Sequence, residues 1–122
     1  MKKLFLFLLS VVWMMTGCSS ESGYKNVAVD EAEKLIAEGK VEVIDVRTQE
    51  EFASGHIPGA KLLPLQEIES RMDELDKEKT YLVVCRSGNR SAQASEILVK
   101  EGFKHIYNMT GGMNEWKGDV EQ

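Results

Sequence analysis

Residues 80–91 read TYLVVCRSGNRS and join an apolar run to a polar loop and then to an amphipathic stretch. Thr80 to Val84 is rich in β-branched side chains, which is typical of a strand buried in a parallel sheet. Cys85 follows the strand directly, and we predict that a helix begins at Ser91 after the loop of residues 86–90. The sequence therefore predicts that Cys85 lies where a strand, a loop and a helix N-terminus meet.

The chain on both sides of this stretch alternates apolar runs with amphipathic ones. Further strands are predicted at residues 41–46, 61–63 and 105–107. Helices are predicted at residues 30–38 with Asp30 as the cap, from a capping box at residues 48–51 to Gly55, at residues 66–75, and from Ser91 to Gly102. Such alternation indicates an α/β fold, with a central, mostly parallel sheet of about five strands and helices on both faces.

Composition limits the class of protein. The 122 residues suffice for one domain, and 43% hydrophobic with 29% charged residues is a normal mixture for a globular fold. A net charge of −5 argues against nucleic acid as a partner. Two cysteines and two histidines are too few for a disulfide or zinc-finger framework. We see no heptad or apolar stripe and therefore expect a monomer.

The N-terminus has the pattern of an export signal. Lys2 and Lys3 precede an apolar stretch at residues 4–15, which spans roughly 18 Å as a helix and is too short for the ~30 Å hydrocarbon core. Residues 15–18 read MTGC and resemble a bacterial lipobox. That resemblance implies a cleaved signal peptide at residues 1–17 and a lipid on Cys18, which would anchor the exported chain to an envelope membrane. A plain secretory signal is the alternative.

The segment that follows Cys18, up to residue 26, is short and polar. We interpret residues 18–26 as the lipidated cysteine and a tether to the domain. The domain itself is predicted at residues 27–122.

The surroundings of Cys85 favour an ionised thiol. Backbone N–H groups of the loop, the N-terminus of the following helix, and the side chains of Arg86 and Arg90 all stabilise a negative charge. The pKa of Cys85 should therefore fall below its ordinary value of about 8.5. The alternative is a buried structural cysteine, which is the commoner role of a lone cysteine.

Three stretches resemble the motifs of single-domain rhodaneses, the thiosulfate sulfurtransferases. CRSGNRS at residues 85–91 is similar to their active-site loop. DVRT to GHIPGA, at residues 45–60, resembles their N-terminal signature, and GGM to Trp116, from residue 111, resembles their C-terminal one. The resemblance covers roughly residues 27–118, nearly the whole predicted mature chain, and implies a rhodanese-like α/β fold.

The resemblance also implies a mechanism. Cys85 would be the catalytic nucleophile, taking a sulfur from thiosulfate as a persulfide and passing it to cyanide or a thiol. No metal or organic cofactor is needed, because the protein itself carries the sulfur. Asp45 and Arg47 would support the loop, with Glu51 in reach, and His56 is interpreted as scaffold and not as a base. The implied substrate-binding residues are Arg86, Ser87, Gly88, Asn89, Arg90 and Ser91.

Other functions remain open at this point. The donor could be a polysulfide or persulfide with little thiosulfate activity, or the chain could be a non-enzymatic, membrane-tethered sulfide or redox sensor. Related phosphatases and arsenate reductases have five residues between the cysteine and the arginine of the loop. Only four residues separate Cys85 from Arg90 here, which suits a sulfur atom better than a tetrahedral oxyanion.

Overall fold

The computed structural model describes residues 23–122. The predicted signal peptide at residues 1–17, the predicted lipid site Cys18 and the first part of the predicted tether lie outside the described residues. Within residues 23–122, no helix combines the length and the apolar character that crossing a membrane requires.

Five strands form one sheet in which every pair is parallel. The order across the sheet is β1-β5-β4-β2-β3, so β4, which leads to Cys85, lies in the middle. The predicted α/β fold with a parallel sheet of about five strands is confirmed. The strands are β1 (Lys25–Val27), β2 (Glu42–Asp45), β3 (Lys61–Leu62), β4 (Thr80–Val84) and β5 (His105–Met109).

Helices cover both faces of the sheet, as predicted. The side chains of β4 alternate, so that Tyr81 and Val83 pack in the cluster that contains α3 while Leu82 and Val84 pack with α1. Cys85 continues this alternation and lies in the α3 cluster. The helices are α1 (Val29–Ala37), α2 (Gln49–Ala53), α3 (Asn89–Lys100) and α4 (Gly112–Glu115).

Strand β1 and the short helix α4 are elements that the sequence did not predict. Lys25 and Asn26, assigned to the tether, pair with Tyr107 and Asn108 of β5 at the sheet edge. The Asn108 side-chain amide also donates to the Asn26 side-chain oxygen at 2.9 Å. Three residues with mostly exposed side chains carry too little hydrophobic pattern to predict a strand.

Two helix starts differ from the prediction. Helix α1 begins at Val29 after Ala28, and Asp30 lies in its first turn instead of capping it. Val29 is buried in the core, so packing favours the earlier start, and Asp30 still interacts favourably with the helix dipole. Helix α3 begins at Asn89, two residues before the predicted Ser91, because Gly88 adopts the left-handed conformation that starts it.

The predicted helix at residues 66–75 is wrong. Two short 3-10 turns, Leu65–Glu67 and Met72–Glu74, replace it. The Ser70 hydroxyl donates to the Glu67 carbonyl, which competes with a continuous helical ladder. Ile68 is nevertheless fully buried, so the apolar spacing correctly identified the side chains that pack on the core.

Candidate active site

The sulfur of Cys85 lies at the carboxyl end of the central strand, surrounded by hydrogen-bond donors. The N–H of Gly88 donates to Sγ at 3.0 Å and the N–H of Ser91 at 3.3 Å. Sγ also lies 3.4 Å from the Ser91 hydroxyl: the thiol donates to this hydroxyl, and after ionisation the hydroxyl donates to the thiolate, which lowers the pKa of Cys85. Cys85 has no exposed surface, so these protein donors take the place of water around the sulfur.

This cradle favours the thiolate. Burial alone raises the pKa of Cys85, but the hydroxyl and N–H of Ser91 and the backbone N–H groups of Gly88 and Ser87 together lower it more. The net result is a pKa below the ordinary value of a cysteine, in agreement with the sequence-based expectation. The N-terminus of α3 follows immediately and adds its partial positive charge.

Gly88 gives the loop its shape. Its φ of +101° lies in the left-handed region, which side chains with a Cβ rarely adopt. That conformation turns the N–H of Gly88 toward Sγ and starts α3 at the next residue. A Cβ at Gly88 would also lie 3.2 Å from the backbone nitrogen of Gly111, on the turn that follows β5.

The first residues of α4 hold the loop from the other side. The N–H of Met113 donates to the carbonyl of Cys85 at 2.8 Å, and the N–H of Asn114 donates to that of Arg86 at 2.9 Å. Gly112, at φ +61°, lies so close to Arg86 that a Cβ would overlap its carbonyl group. The sequence identified the Gly-Gly motif but not this contact, which joins residues distant in the chain.

Glu51 is the partner of both loop arginines. Its Oε1 accepts from Nη1 of Arg90 at 2.9 Å, and its Oε2 accepts from Nη2 of Arg90 and Nε of Arg86, both at 3.0 Å. The predicted capping box is confirmed, because Thr48 and Glu51 exchange hydrogen bonds at the start of α2. The hydrogen bond from Arg90 is the main reason that the pKa of Glu51 lies well below its usual range.

Asp45 and Arg47 support the site less directly than expected. Asp45 is fully buried and accepts Nε and Nη2 of Arg47 at 2.8–3.1 Å. Nη2 of Arg47 also donates to the carbonyl of Gly55 at 2.8 Å. These bonds fix the end of β2 to the end of the α2 segment. Contact with the catalytic loop is made by Glu51, on the helix between Arg47 and Gly55.

The scaffold interpretation of His56 agrees with its contacts. Its ring stacks on Phe52 with centroids 3.6 Å apart, and Nδ1 lies 2.8 Å from the Phe52 carbonyl. Nε2 lies 3.3 Å from Glu121, which also pairs with the His56 backbone. His56 therefore joins the end of α2 to the C-terminal segment.

The predicted substrate-binding residues fall into two groups. Gly88 and Ser91 contact the sulfur, and Ser91 is fully buried, so its place is in the cradle and not at the surface. The second group surrounds the cradle: Arg86, Ser87 and Asn89 are exposed, and Arg90 is partly buried against Glu51. Residues 23–122 contain no group of three or more His, Cys, Asp or Glu side chains that could hold a metal ion.

A cysteine with a lowered pKa at the end of a strand, surrounded by the hydrogen-bond donors of a loop that opens a helix, has the geometry that covalent sulfur chemistry requires. Residues 28–119 match the family described as "Rhodanese-like domain", and the chain belongs to that family. In the crystal structure of a rhodanese-like domain protein from Staphylococcus aureus, 40% identical, the match covers 80% of this chain and 96% of that one, with a TM-score of 0.73.

Curated relatives support sulfur transfer as the activity. The thiosulfate sulfurtransferase GlpE of Coxiella burnetii is 34% identical over 94 residues, which cover 77% of this chain and 88% of GlpE. A sulfurtransferase of Allochromatium vinosum is 38% identical over 85 residues, covering 70% and 79%. The chain spans about half (48%) of the length of a further relative, YrkF of Bacillus subtilis.

We predict that Ser91→Ala raises the pKa of Cys85. The variant loses the hydroxyl that donates to Sγ, so a higher pH is needed to form the thiolate. Ultraviolet thiolate absorbance against pH, with the signal of Cys85→Ser subtracted, measures this change. Ser87→Ala is the matched control, because only the backbone of Ser87 lowers that pKa. An unchanged titration in Ser91→Ala would contradict the assigned cradle.

We predict that Gly112→Ala destabilises the fold and displaces the catalytic loop. Left-handed backbone costs a non-glycine residue about 1–2 kcal/mol, and overlap with Arg86 adds to this. Gly39→Ala is the control for backbone strain alone, because its φ is +70° and no atom lies within 4 Å of its Cβ position. Chemical denaturation should show a larger loss for Gly112→Ala; equal losses would mean that the contact with Arg86 adjusts without strain.

Proposed function

We propose that this protein moves sulfane sulfur from thiosulfate, or a similar donor, to a thiophilic acceptor such as cyanide or a thiol. The observation that carries the proposal is the cradle of Gly88 and Ser91 donors around Sγ of Cys85. These donors stabilise the thiolate that must act as nucleophile. After transfer they can stabilise the terminal sulfur of a persulfide, in the manner of an oxyanion hole.

The proposed reaction has two halves. The Cys85 thiolate attacks the outer sulfur of thiosulfate, the bond between the two thiosulfate sulfurs breaks, and sulfite leaves with that electron pair. An acceptor then attacks the terminal sulfur of the Cys85 persulfide and restores the thiolate. Charge balances in each half, and sulfur is carried by the protein throughout, so the cycle requires no metal or organic cofactor. Arg86 follows Cys85 directly and its side chain is exposed, so it is our candidate to bind the anionic donor.

Two alternatives remain candidates. A carrier of persulfide or polysulfide sulfur would use the same cradle with a different donor. A redox sensor would use the low pKa of Cys85, but such sensors often need a second, resolving cysteine. Cys85 is the one cysteine among residues 23–122, and it is free, which favours sulfur transfer over a disulfide switch.

We predict that the full-length protein forms thiocyanate from thiosulfate and cyanide, and that Cys85→Ser lowers the rate at least about 10³-fold, because a hydroxyl cannot replace the ionised nucleophile. Sulfite release in the absence of acceptor should occur once per Cys85. Retained turnover in Cys85→Ser would contradict the mechanism. A wild-type protein that transfers no sulfur from any donor would favour the sensor.

We further propose that the chain is exported and anchored to an envelope membrane by a lipid on Cys18. The lipobox-like residues 15–18 support this, and the predicted tether would keep the domain near the bilayer. Cys18→Ala should release the protein from the membrane fraction of the native host. The matched control is Cys85→Ser, which should stay with the membranes. Membrane association of Cys18→Ala would contradict a lipid anchor.

A further inference from the structure

We propose that Glu51 sets the charge of the preferred donor: its carboxylate favours a singly charged sulfane-sulfur donor, such as an organic persulfide, over the dianion thiosulfate. The inference rests on the proposed sulfur transfer and narrows its substrate class. It follows from how Glu51 divides its contacts between two arginines, and from the charges that remain around Cys85.

The two arginines have different roles in their pairs with Glu51. Arg90 uses two nitrogens on both carboxylate oxygens, and 31% of its side chain is exposed. Arg86 gives only Nε to Glu51, and 60% of its side chain is exposed. Arg90 is therefore a brace that holds the loop to α2. Arg86 can offer its terminal nitrogens to an anion while Nε stays on Glu51.

We call the groups Glu51, Cys85, Arg86 and Arg90 the mouth of the site, and their charges cancel when Cys85 is ionised for reaction. Arg86 and Arg90 contribute two positive charges, and the Glu51 carboxylate and the Cys85 thiolate contribute two negative ones. Asp45 and Arg47 are bonded to each other and add no net charge. The side chains of the loop and their partner therefore leave no surplus formal positive charge for an arriving sulfur donor, whereas the loop motif alone suggests two arginines available to an anion.

A site whose side-chain charges cancel distinguishes sulfur donors by the charge that each donor carries. Thiosulfate carries two negative charges, whereas a persulfide carries at most one on its sulfane sulfur. Nε of Arg86 is already bonded to the Glu51 carboxylate at 3.0 Å. An anion bound by the terminal nitrogens of Arg86 would therefore lie close to that carboxylate, and the repulsion between them would grow with the charge of the anion. The chain as a whole is also acidic, with a net charge of −5, so it adds no long-range attraction for a dianion.

The persulfide reaction needs no further reactant. The Cys85 thiolate attacks the terminal sulfur of R–S–S⁻, and a bond between Sγ and that sulfur forms as the S–S bond of the donor breaks. R–S⁻ leaves with the electron pair. One persulfide and one thiolate stand on each side, so no oxidant or reductant is consumed.

Glu51→Gln in the full-length protein tests the proposal. The variant removes one negative charge and keeps a side-chain oxygen for the Thr48 N–H, and glutamine is accepted at this position of a capping box. We expect kcat/KM for thiosulfate to rise about fivefold relative to kcat/KM for an uncharged-R persulfide, since one charge pair at ~4 Å in water corresponds to that factor. The change should lie mainly in the KM for thiosulfate.

Glu50→Gln is the matched control. It removes the same charge from the adjacent, exposed position of α2 and should leave the ratio between the donors unchanged. An unchanged ratio in Glu51→Gln, or an equal rise in Glu50→Gln, would overturn the proposal. If the wild-type protein transfers sulfur from neither donor, the proposed function has failed, and the two failures are thus distinguishable.

A second measurement, on the wild-type protein, tests the proposal even if Glu51→Gln does not fold. In the wild-type protein, kcat/KM for thiosulfate should stay level or rise with salt, because a neutral mouth on an acidic protein gives salt no attraction to screen. A steep fall with salt would reveal surplus positive charge at the mouth and would overturn the assignment to Glu51.

Discussion

Ionising a sulfur that has no exposed surface is the physical requirement on which the rest of the structure depends. An isolated buried charge is strongly unfavourable unless donors surround it. The donors here are backbone N–H groups and one hydroxyl, and none of them is a charged side chain in contact with Sγ. Fixed backbone donors need the loop in one conformation. The left-handed Gly88, the start of α3 and the contacts of the first residues of α4 all provide that conformation.

The charged residues form a second layer, arranged in pairs. Glu51 joins α2 to the two loop arginines, and the buried pair of Asp45 and Arg47 fixes the segments at both ends of α2. Removing one partner from such a buried pair is costly, because the other charge is left without compensation. The result is a thiolate held by neutral donors within a frame of balanced charges, so that the electrostatics of the site depend on each pair being complete.

Much of this could be predicted from local sequence, and the rest could not, for a physical reason. The strand before Cys85, the Gly-bearing loop and the capping box at Thr48 are local patterns that determine their own geometry. The pairs of Glu51 with Arg86 and Arg90 join residues 35 and 39 apart, and no local pattern indicates which carboxylate meets which arginine. Helix and strand ends that depend on packing, at Val29 and in β1, were likewise missed, and so was the interruption at Ser70.

The same frame would serve both halves of the proposed sulfur-transfer cycle. The resting thiolate and the persulfide each carry one negative charge on a sulfur, so the net charge of the loop does not change when sulfur is loaded. The N–H groups that Gly88 and Gly112 fix in place around the sulfur need not move between the two states. Dipoles that are already oriented stabilise a reaction most under this condition. What changes is the charge of the partner that arrives and leaves. Selectivity between partners therefore falls to the residues that border the mouth, and Glu51 is the one whose charge opposes a doubly charged donor.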